Sequence, residues 1–263
     1  MALPKVEYPT YDLIIPSSGV KIKYRPFLVR EHKLLLQAVE MKDSANFINT
    51  IYDIINACTF EKLDVEKLTM YDIDYIFLML RARSIGELVP VEYRCASKVE
   101  QKDEEGNVVR DENGDPVLVD CDSKVRVTLD LNKVQVTIPK GYGEHRVIMF
   151  DDTVGIKLCS PSFAKFKELS QIENVDGMFN VAEAFVYSCT ECVFDGDKVL
   201  VPEKDFTQDD LIAFIEGLPS DVVEKINTFF DNLPYVSLTT TIRCPKCGEE
   251  DTIEIKGLED FFV

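Results

Sequence analysis

The chain has 263 residues, 46% of them hydrophobic and 29% charged. That composition fits one large or two small globular domains with a core that needs no cross-links, and no run approaches the ~20 consecutive apolar residues of a membrane span. A net charge of −18, from 47 acidic and 29 basic residues, argues against direct nucleic-acid binding, which needs a basic surface to neutralise phosphate; the acidity fits a solvated surface or a basic protein partner.

Tyr11 to Pro16, the turn Ser17-Ser18-Gly19 and Val20 to Pro26 predict a β-hairpin, and the alternation Lys21-Ile22-Lys23-Tyr24 leaves one face wet. The opening Met1-Ala2-Leu3-Pro4-Lys5 has no apolar core, so secretion is not expected. Phe27 to Ala38 starts a helix in which His32, between Glu31 and Lys33, reads as solvated. Asp43 to Cys58 is a second helix, with Phe47, Ile51, Ile54, Ile55 and Cys58 as its stripe. Thr69 caps a third, Met70 to Arg83, with Ile73, Ile76, Phe77 and Leu80 inward; Ser84-Ile85-Gly86 stops it.

From Glu87 to Ile138 the pattern is β, interrupted by an acidic insert, residues 100–120. Glu105-Gly106-Asn107 and Asn113-Gly114-Asp115-Pro116 are turn signals, so the insert reads as a protruding hairpin or a loop. Asp111-x-Asn113-x-Asp115 imitates the start of a calcium loop, but Pro116 stands where that loop requires glycine. Gly141-Tyr142-Gly143-Glu144-His145 reads as a loop, and Met149 to Leu158 as extended. Pro161-Ser162-Phe163 opens a helix towards Ile172, and Met178 to Cys192 is another. Val193 to Val201 is a hairpin turned by Asp195-Gly196. Thr207-Gln208-Asp209-Asp210 caps a helix ending at Gly217, and Pro219-Ser220-Asp221 starts a last one. Tyr235 to Ile242 is a strand, and no internal repeat is evident.

That strand leads into Cys244-Pro245-Lys246-Cys247-Gly248, followed by the β-type run Asp251 to Ile255. A Cys-Pro-x-Cys-Gly turn between strands is a zinc knuckle: proline fixes φ, glycine permits positive φ, and both thiolates face one loop. Cys95 and Cys121, each where a β-rich run meets the acidic insert, are the expected second pair of ligands for a tetrahedral Zn²⁺. Such a site is structural, because four thiolates leave no open position. The rival pair is Cys189 and Cys192. Ala182, Phe185, Val186 and Cys189 instead follow the buried stripe of a helix, so Cys58, Cys159, Cys189 and Cys192 read as core thiols. No catalytic constellation appears: His32 and His145 lie in no motif, and Gly-x-Gly alone is no nucleotide loop.

Phe27 to Leu35, Asp72 to Gly86, and the ending from Cys244 through Gly257 to Phe262 together resemble the T4-type bacteriophage baseplate hub subunit and baseplate hub assembly catalyst family. The resemblance implies a structural or assembly protein of the hub region of a contractile-tailed phage baseplate. It would work by binding other baseplate or hub proteins, in the virion tail and, during assembly, in the host cytoplasm. It does not separate an incorporated subunit from a transient assembly factor.

The expected fold is α+β: a helical body carrying β-hairpins and a zinc-ribbon-like four-cysteine module. Residues 1–90 form the N-terminal hairpin and helices, 91–138 with 236–263 the module, and 139–235 a mainly helical region. Neither an enzyme nor a small-molecule site is expected. Arg81-Ala82-Arg83-Ser84-Ile85-Gly86 is read as a helix end or a contact surface, and Phe261-Phe262-Val263 as docking in a partner or packing on its own ribbon. The alternative function is a zinc-ribbon adaptor in transcription or nucleic-acid processing. Glu249, Glu250, Asp251 and Glu254 on the ribbon, against Lys246 and Lys256, disfavour it.

Overall fold

The computed structural model describes residues 7–41, 44–143, 145–170 and 178–257. The fold is α+β, with seven α-helices and thirteen strands among those residues. The hairpin β1 (Tyr11–Ile14) and β2 (Lys21–Tyr24) pairs Tyr11 with Tyr24 and Ile14 with Lys21, and Gly19 at φ 67° closes the turn. Alternation buries Leu13, Ile15 and Tyr24 and leaves Ile14 outside.

Three helices follow: α1 (Val29–Met41), α2 (Ser44–Cys58) and α3 (Met70–Ser84). α3 is the central one. Ile73, Ile76, Phe77 and Leu80 are buried as its stripe requires, and so are Leu78 and Ala82, because α3 packs between α2 on one side and a sheet on the other. Its N-terminus is a capping box of Thr69 and Asp72. The fully buried Asp72 carboxylate also accepts the Ser17 amide at 2.9 Å, tying the first hairpin's turn to the helix start.

At the other end of α3, the Phe27 amide donates to the Ser84 hydroxyl at 2.9 Å, and the Arg83 guanidinium lies 5.5 Å from the Tyr11 ring centroid. Arg83 and Ser84 therefore hold the chain's own N-terminal hairpin and α1 entry, and both stand in the last turn of α3, as the helix-end reading of this stretch has it.

β3 (Leu88–Arg94) and β6 (Lys124–Asp130) form an unbroken antiparallel ladder. β7 (Gln135–Thr137), β12 (Tyr235–Arg243) and β13 (Glu250–Lys256) make a three-stranded sheet with β12 central. These strands share one hydrophobic core with the first hairpin, α2 and α3.

Between β3 and β6 the insert forms a cloverleaf rather than one hairpin or a loop. β4 (Lys98–Glu100) and β5 (Leu118–Asp120) are its stem, and two short antiparallel arms follow each other, bridged at Lys102–Val108 and Arg110–Pro116. At the junction Gln101 N–H donates to the Val117 carbonyl (2.8 Å), Val117 N–H to Val109 (2.9 Å) and Val109 N–H to Gln101 (2.8 Å), closing a ring.

Both arms make the same turn. The Asp103 carboxylate takes the amides of Glu105 and Asn107, and Asp111 takes those of Asn113 and Asp115. Gly106 and Gly114 sit at φ 89° and 85°. The arms are an eight-residue duplication, Lys102-Asp103-Glu104-Glu105-Gly106-Asn107-Val108-Val109 and Arg110-Asp111-Glu112-Asn113-Gly114-Asp115-Pro116-Val117, which corrects the reading that the chain has no internal repeat. The arms are largely exposed and self-contained. Replacing residues 101–117 by Asn-Gly, so that β4 turns directly into β5, is expected to cost under ~1 kcal/mol, since loop entropy varies slowly with length. A denaturant titration that loses cooperativity would show the arms to be part of the core.

β8 (His145–Met149), β9 (Val154–Cys159), β10 (Thr190–Asp195) and β11 (Lys198–Leu200) form a sheet of order β11-β10-β9-β8, and α6 (Gln208–Glu216) and α7 (Ser220–Asp231) complete a second core around Ile156, Leu158, Val193, Leu211, Ile226 and Phe229. The region 139–235 thus carries a full sheet beside its helices. α4 (Phe163–Ser170) places Phe163 in the first core, and α5 (Met178–Cys189) runs straight into β10. Cys192 is therefore a strand residue, not the helical one expected. Ile172, the expected end of α4, lies outside the described residues, as do Leu258 to Val263.

At Gly155 a Cβ would meet the Ile148 carbonyl at 2.9 Å and Met149 Sδ at 2.7 Å. Gly155→Ala is expected to push β8 off β9 and cost roughly 1–3 kcal/mol in urea unfolding; an unchanged midpoint would mean the strands separate freely.

Candidate metal centre

β3 ends at Arg94 and delivers Cys95; β5 ends at Asp120 and delivers Cys121. Each cysteine amide is held by the other's strand: Cys95 N–H donates to the Ser123 carbonyl and Cys121 N–H to the Ser97 carbonyl, both at 2.9 Å. Asp122, at φ 46°, turns the chain just after Cys121, its carboxylate 3.3 Å from Arg94.

The second pair comes from the β12–β13 connection. Cys244 N–H donates to the Glu249 carbonyl and Gly248 N–H to the Cys244 carbonyl, with Gly248 at φ 76°. A Cβ costs roughly 1–2 kcal/mol in that left-handed region, so glycine is the favoured residue of the turn. Lys246 reaches across and donates to the Cys121 carbonyl at 2.9 Å, and Tyr93 OH donates to Asp251 at 3.1 Å, so the two halves are stitched outside the sulfurs too.

The four sulfurs of Cys95, Cys121, Cys244 and Cys247 lie within 4.8 Å of one another. Cys95–Cys247 and Cys121–Cys244 are each 3.7 Å apart. A disulfide would need about 2.05 Å, whereas a tetrahedron of ~2.3 Å zinc–sulfur bonds has edges of about 3.8 Å. Three of the four residues are buried and Cys247 is half-buried.

Backbone amides aim at the sulfurs as thiolate binding demands. Those of Cys247 and Lys246 bring the Cys244 thiol down to about 6. Burial pushes Cys121 up to about 11 despite the Ser123 amide. For Cys247 the Glu249 amide favours the thiolate, but burial and the neighbouring Cys244 sulfur outweigh it and raise the value. Several thiolates cannot share so small a volume without a cation between them. The donor set, all sulfur and without carboxylates, suits a soft tetrahedral ion.

The other cysteines are elsewhere. Cys58, Cys159, Cys189 and Cys192 are buried free thiols. Burial pushes Cys58 and Cys189 up to about 12 and raises Cys192, the state of inert core sulfur.

His32 is half-buried, its ring 6.0 Å from Phe27, rather than fully solvated. His145, expected in a loop, opens β8 and sits 2.6 Å from Glu191, which also holds Lys157 at 2.6 Å. Across the β8–β9 ladder its register partner is Cys159.

Glu31 was not singled out by sequence, yet it is a buried hub. It takes Arg25 at 3.0 Å, Arg30 at 2.8 Å and the Leu28 amide at 2.6 Å. The available signal was its place three residues after the helix N-cap, the acceptor half of a capping box, hidden because that N-cap is Leu28 rather than Ser or Thr.

Among the described residues no helix is long and apolar enough to cross a membrane. No curated protein and no solved structure matches the chain significantly. A family model described as T4 bacteriophage base plate protein matches residues 8–263, nearly the whole length. The chain with this four-cysteine junction belongs to the T4 bacteriophage base plate protein family.

Proposed function

We propose that this baseplate protein serves the hub region as a structural or assembly component, acting through protein–protein contacts and stiffened by one structural Zn²⁺ on Cys95, Cys121, Cys244 and Cys247. The observation that carries the reading is the sulfur cluster itself. It joins segments more than 100 positions apart in the chain with no ligand position left over for a substrate. Zinc bound there supplies charge neutralisation and a cross-link, not chemistry on a ligand. The β-rich module, 91–138 with 236–257, is then a rigid zinc-ribbon-like part of the first core, and residues 139–235 a further region that builds the second core while Phe163 joins the first. Assembly takes place in the host cytoplasm before the tail is complete.

The test is a phage carrying Cys247→Ser. Tails are expected to stall before a complete baseplate forms, with mass spectrometry finding the chain in wild-type baseplates or their precursors. Normal tail yield from the variant, with the chain missing from both fractions, would overturn the proposal.

A further inference from the structure

Between α6 and the β11-β10-β9-β8 sheet lies an open apolar pocket of about 290 Å³. Val193 and Leu211 line its buried base, and Phe194, Leu200, Phe206 and Phe214 line its sides. All three phenylalanines stay half-exposed. Two of the rings are held in place: Phe214 lies 5.7 Å from Phe150 and Phe206 6.3 Å from Tyr187, centroid to centroid. Single exposed apolar side chains are ordinary on any surface. A concave group of them with fixed rings is the form of a site that receives an apolar side chain.

The charges around the mouth indicate the occupant. Val154, Asp195, Phe206 and Asp210 line the pocket and belong to the segments 150–154, 195–198 and 203–210. Those segments carry eight carboxylates against two cations, Lys198 and Lys204. The ratio is four to one, where the whole chain has 47 acidic to 29 basic residues, so the rim is far more acidic than the average surface. All eight acidic residues are exposed. Asp151 accepts the amides of Thr153 and Val154, and Asp210 that of Thr207, which favours their ionised forms. Lys198, 4.0 Å from Asp195, balances only a small part of this charge. Such a rim repels nucleic acid, anionic lipid and a second copy of this chain. It also repels the chain's own ending, Leu258-Glu259-Asp260-Phe261-Phe262-Val263, whose aromatic pair would otherwise suit the pocket. It attracts lysine and arginine.

We propose that this pocket docks a basic segment of a partner protein, which inserts one large apolar side chain and sets lysines or arginines on either side of it against the rim. Carboxylates spread over three segments match residues that flank an anchor better than they match one small amine. The inference rests on the protein–protein reading above and names one surface that makes such a contact and the chemistry it takes. It needs neither the zinc site nor the hub. One anchor and a few exposed charge pairs give a weak contact, with a Kd on the order of 100 µM. It gains weight where assembly raises the local concentration.

The chain has no tryptophan, so a peptide that carries one reports its own burial. The probe is an end-capped pentapeptide with a central tryptophan between two pairs of lysines, titrated with the full-length, zinc-loaded protein at low salt. A saturable blue shift of its emission is expected, weakening as salt screens the rim. The same peptide with alanine at its centre should compete at least ~10-fold more weakly, and one with glutamates in place of lysines should not bind. Asp152→Lys with Asp197→Lys should raise the Kd by ~5-fold or more. Both positions are exposed, so the variant should melt with the parent. No saturable shift by ~1 mM overturns the inference. So do an alanine peptide that competes equally and a rim variant that binds as the parent does. Binding that emerges only after residues 258–263 are removed also overturns it, because the chain's own ending then occupies the pocket. A silent titration leaves the protein–protein reading standing. That reading falls instead if the chain is missing from baseplates and their precursors, a result the titration does not touch.

Discussion

Chelation of the zinc-loaded protein, or Cys247→Ser, is expected to lower the melting temperature by more than ~10 °C and to loosen one half of the molecule before the other. Structural zinc sites bind with roughly 10–16 kcal/mol in isolated peptides, as much as the ~5–15 kcal/mol net stability of a whole domain. Here the sulfurs close a span of 152 positions between Cys95 and Cys247, so their separation frees a large stretch of chain. Hydrogen exchange should quicken across 88–130 and 238–256. It should change little in β9, α6 and α7, whose core includes no ligand. Cys189→Ala with Cys192→Ala should keep one equivalent of zinc by metal analysis. Identical melting of the metal-free and metal-loaded protein would sink the clamp, and zinc loss in the double variant would sink the ligand assignment.

Glu31→Gln should be the most damaging loss of a single charge, costing about 3 kcal/mol at neutral pH, or roughly 6–12 °C in melting temperature. Arg25 is almost fully buried; among the described residues its guanidinium meets, apart from Glu31, the Pro26 carbonyl at 2.9 Å and Cys58 Sγ at 3.6 Å. Removing the charge leaves that cation without its counter-charge, while the Gln amide oxygen still accepts the Leu28 amide, so the loss is the ion pair rather than the cap. Burial opposes ionisation of Glu31, but hydrogen bonds from Arg30, Arg25 and the Leu28 amide outweigh it and hold the group at about 2, below its ordinary 4.5. A depressed folded value means the contribution is complete above pH ~4.5 and is lost as pH falls towards ~2. The wild type should therefore lose more stability than Glu31→Gln across that window. Parallel acid-unfolding curves, or equal stability at pH 7, would refute the role.

The sequence was most informative where one short pattern decides the outcome. Thr69 and Thr207 cap helices because a hydroxyl and an acidic residue three positions on satisfy free amides in any context. Asp195-Gly196 turns a hairpin for similarly local reasons, and the Cys-Pro-x-Cys-Gly turn announces its sulfur geometry. What stayed hidden depends on distant neighbours. Cys192 left the helix because the edge of β9 captures the chain from Thr190 onward, which no periodicity within 178–192 reveals. The duplicated arms escaped notice because Asp and Gly repeat in them, and turn residues carry no apolar period. The burial of Glu31 follows from Arg25, whose backbone is fixed by the Cys58 carbonyl at the far end of α2.

The ring of amides at Gln101, Val109 and Val117 decouples chain length from geometry. Each eight-residue arm leaves the junction and returns to it, so the strands reaching Cys95 and Cys121 see only the three-residue stem. Arms could be added, lost or exchanged for a foreign peptide one octad at a time, and the four sulfurs would not move. The insert is therefore a natural grafting point, at which the protein tolerates new surface without renegotiating its core.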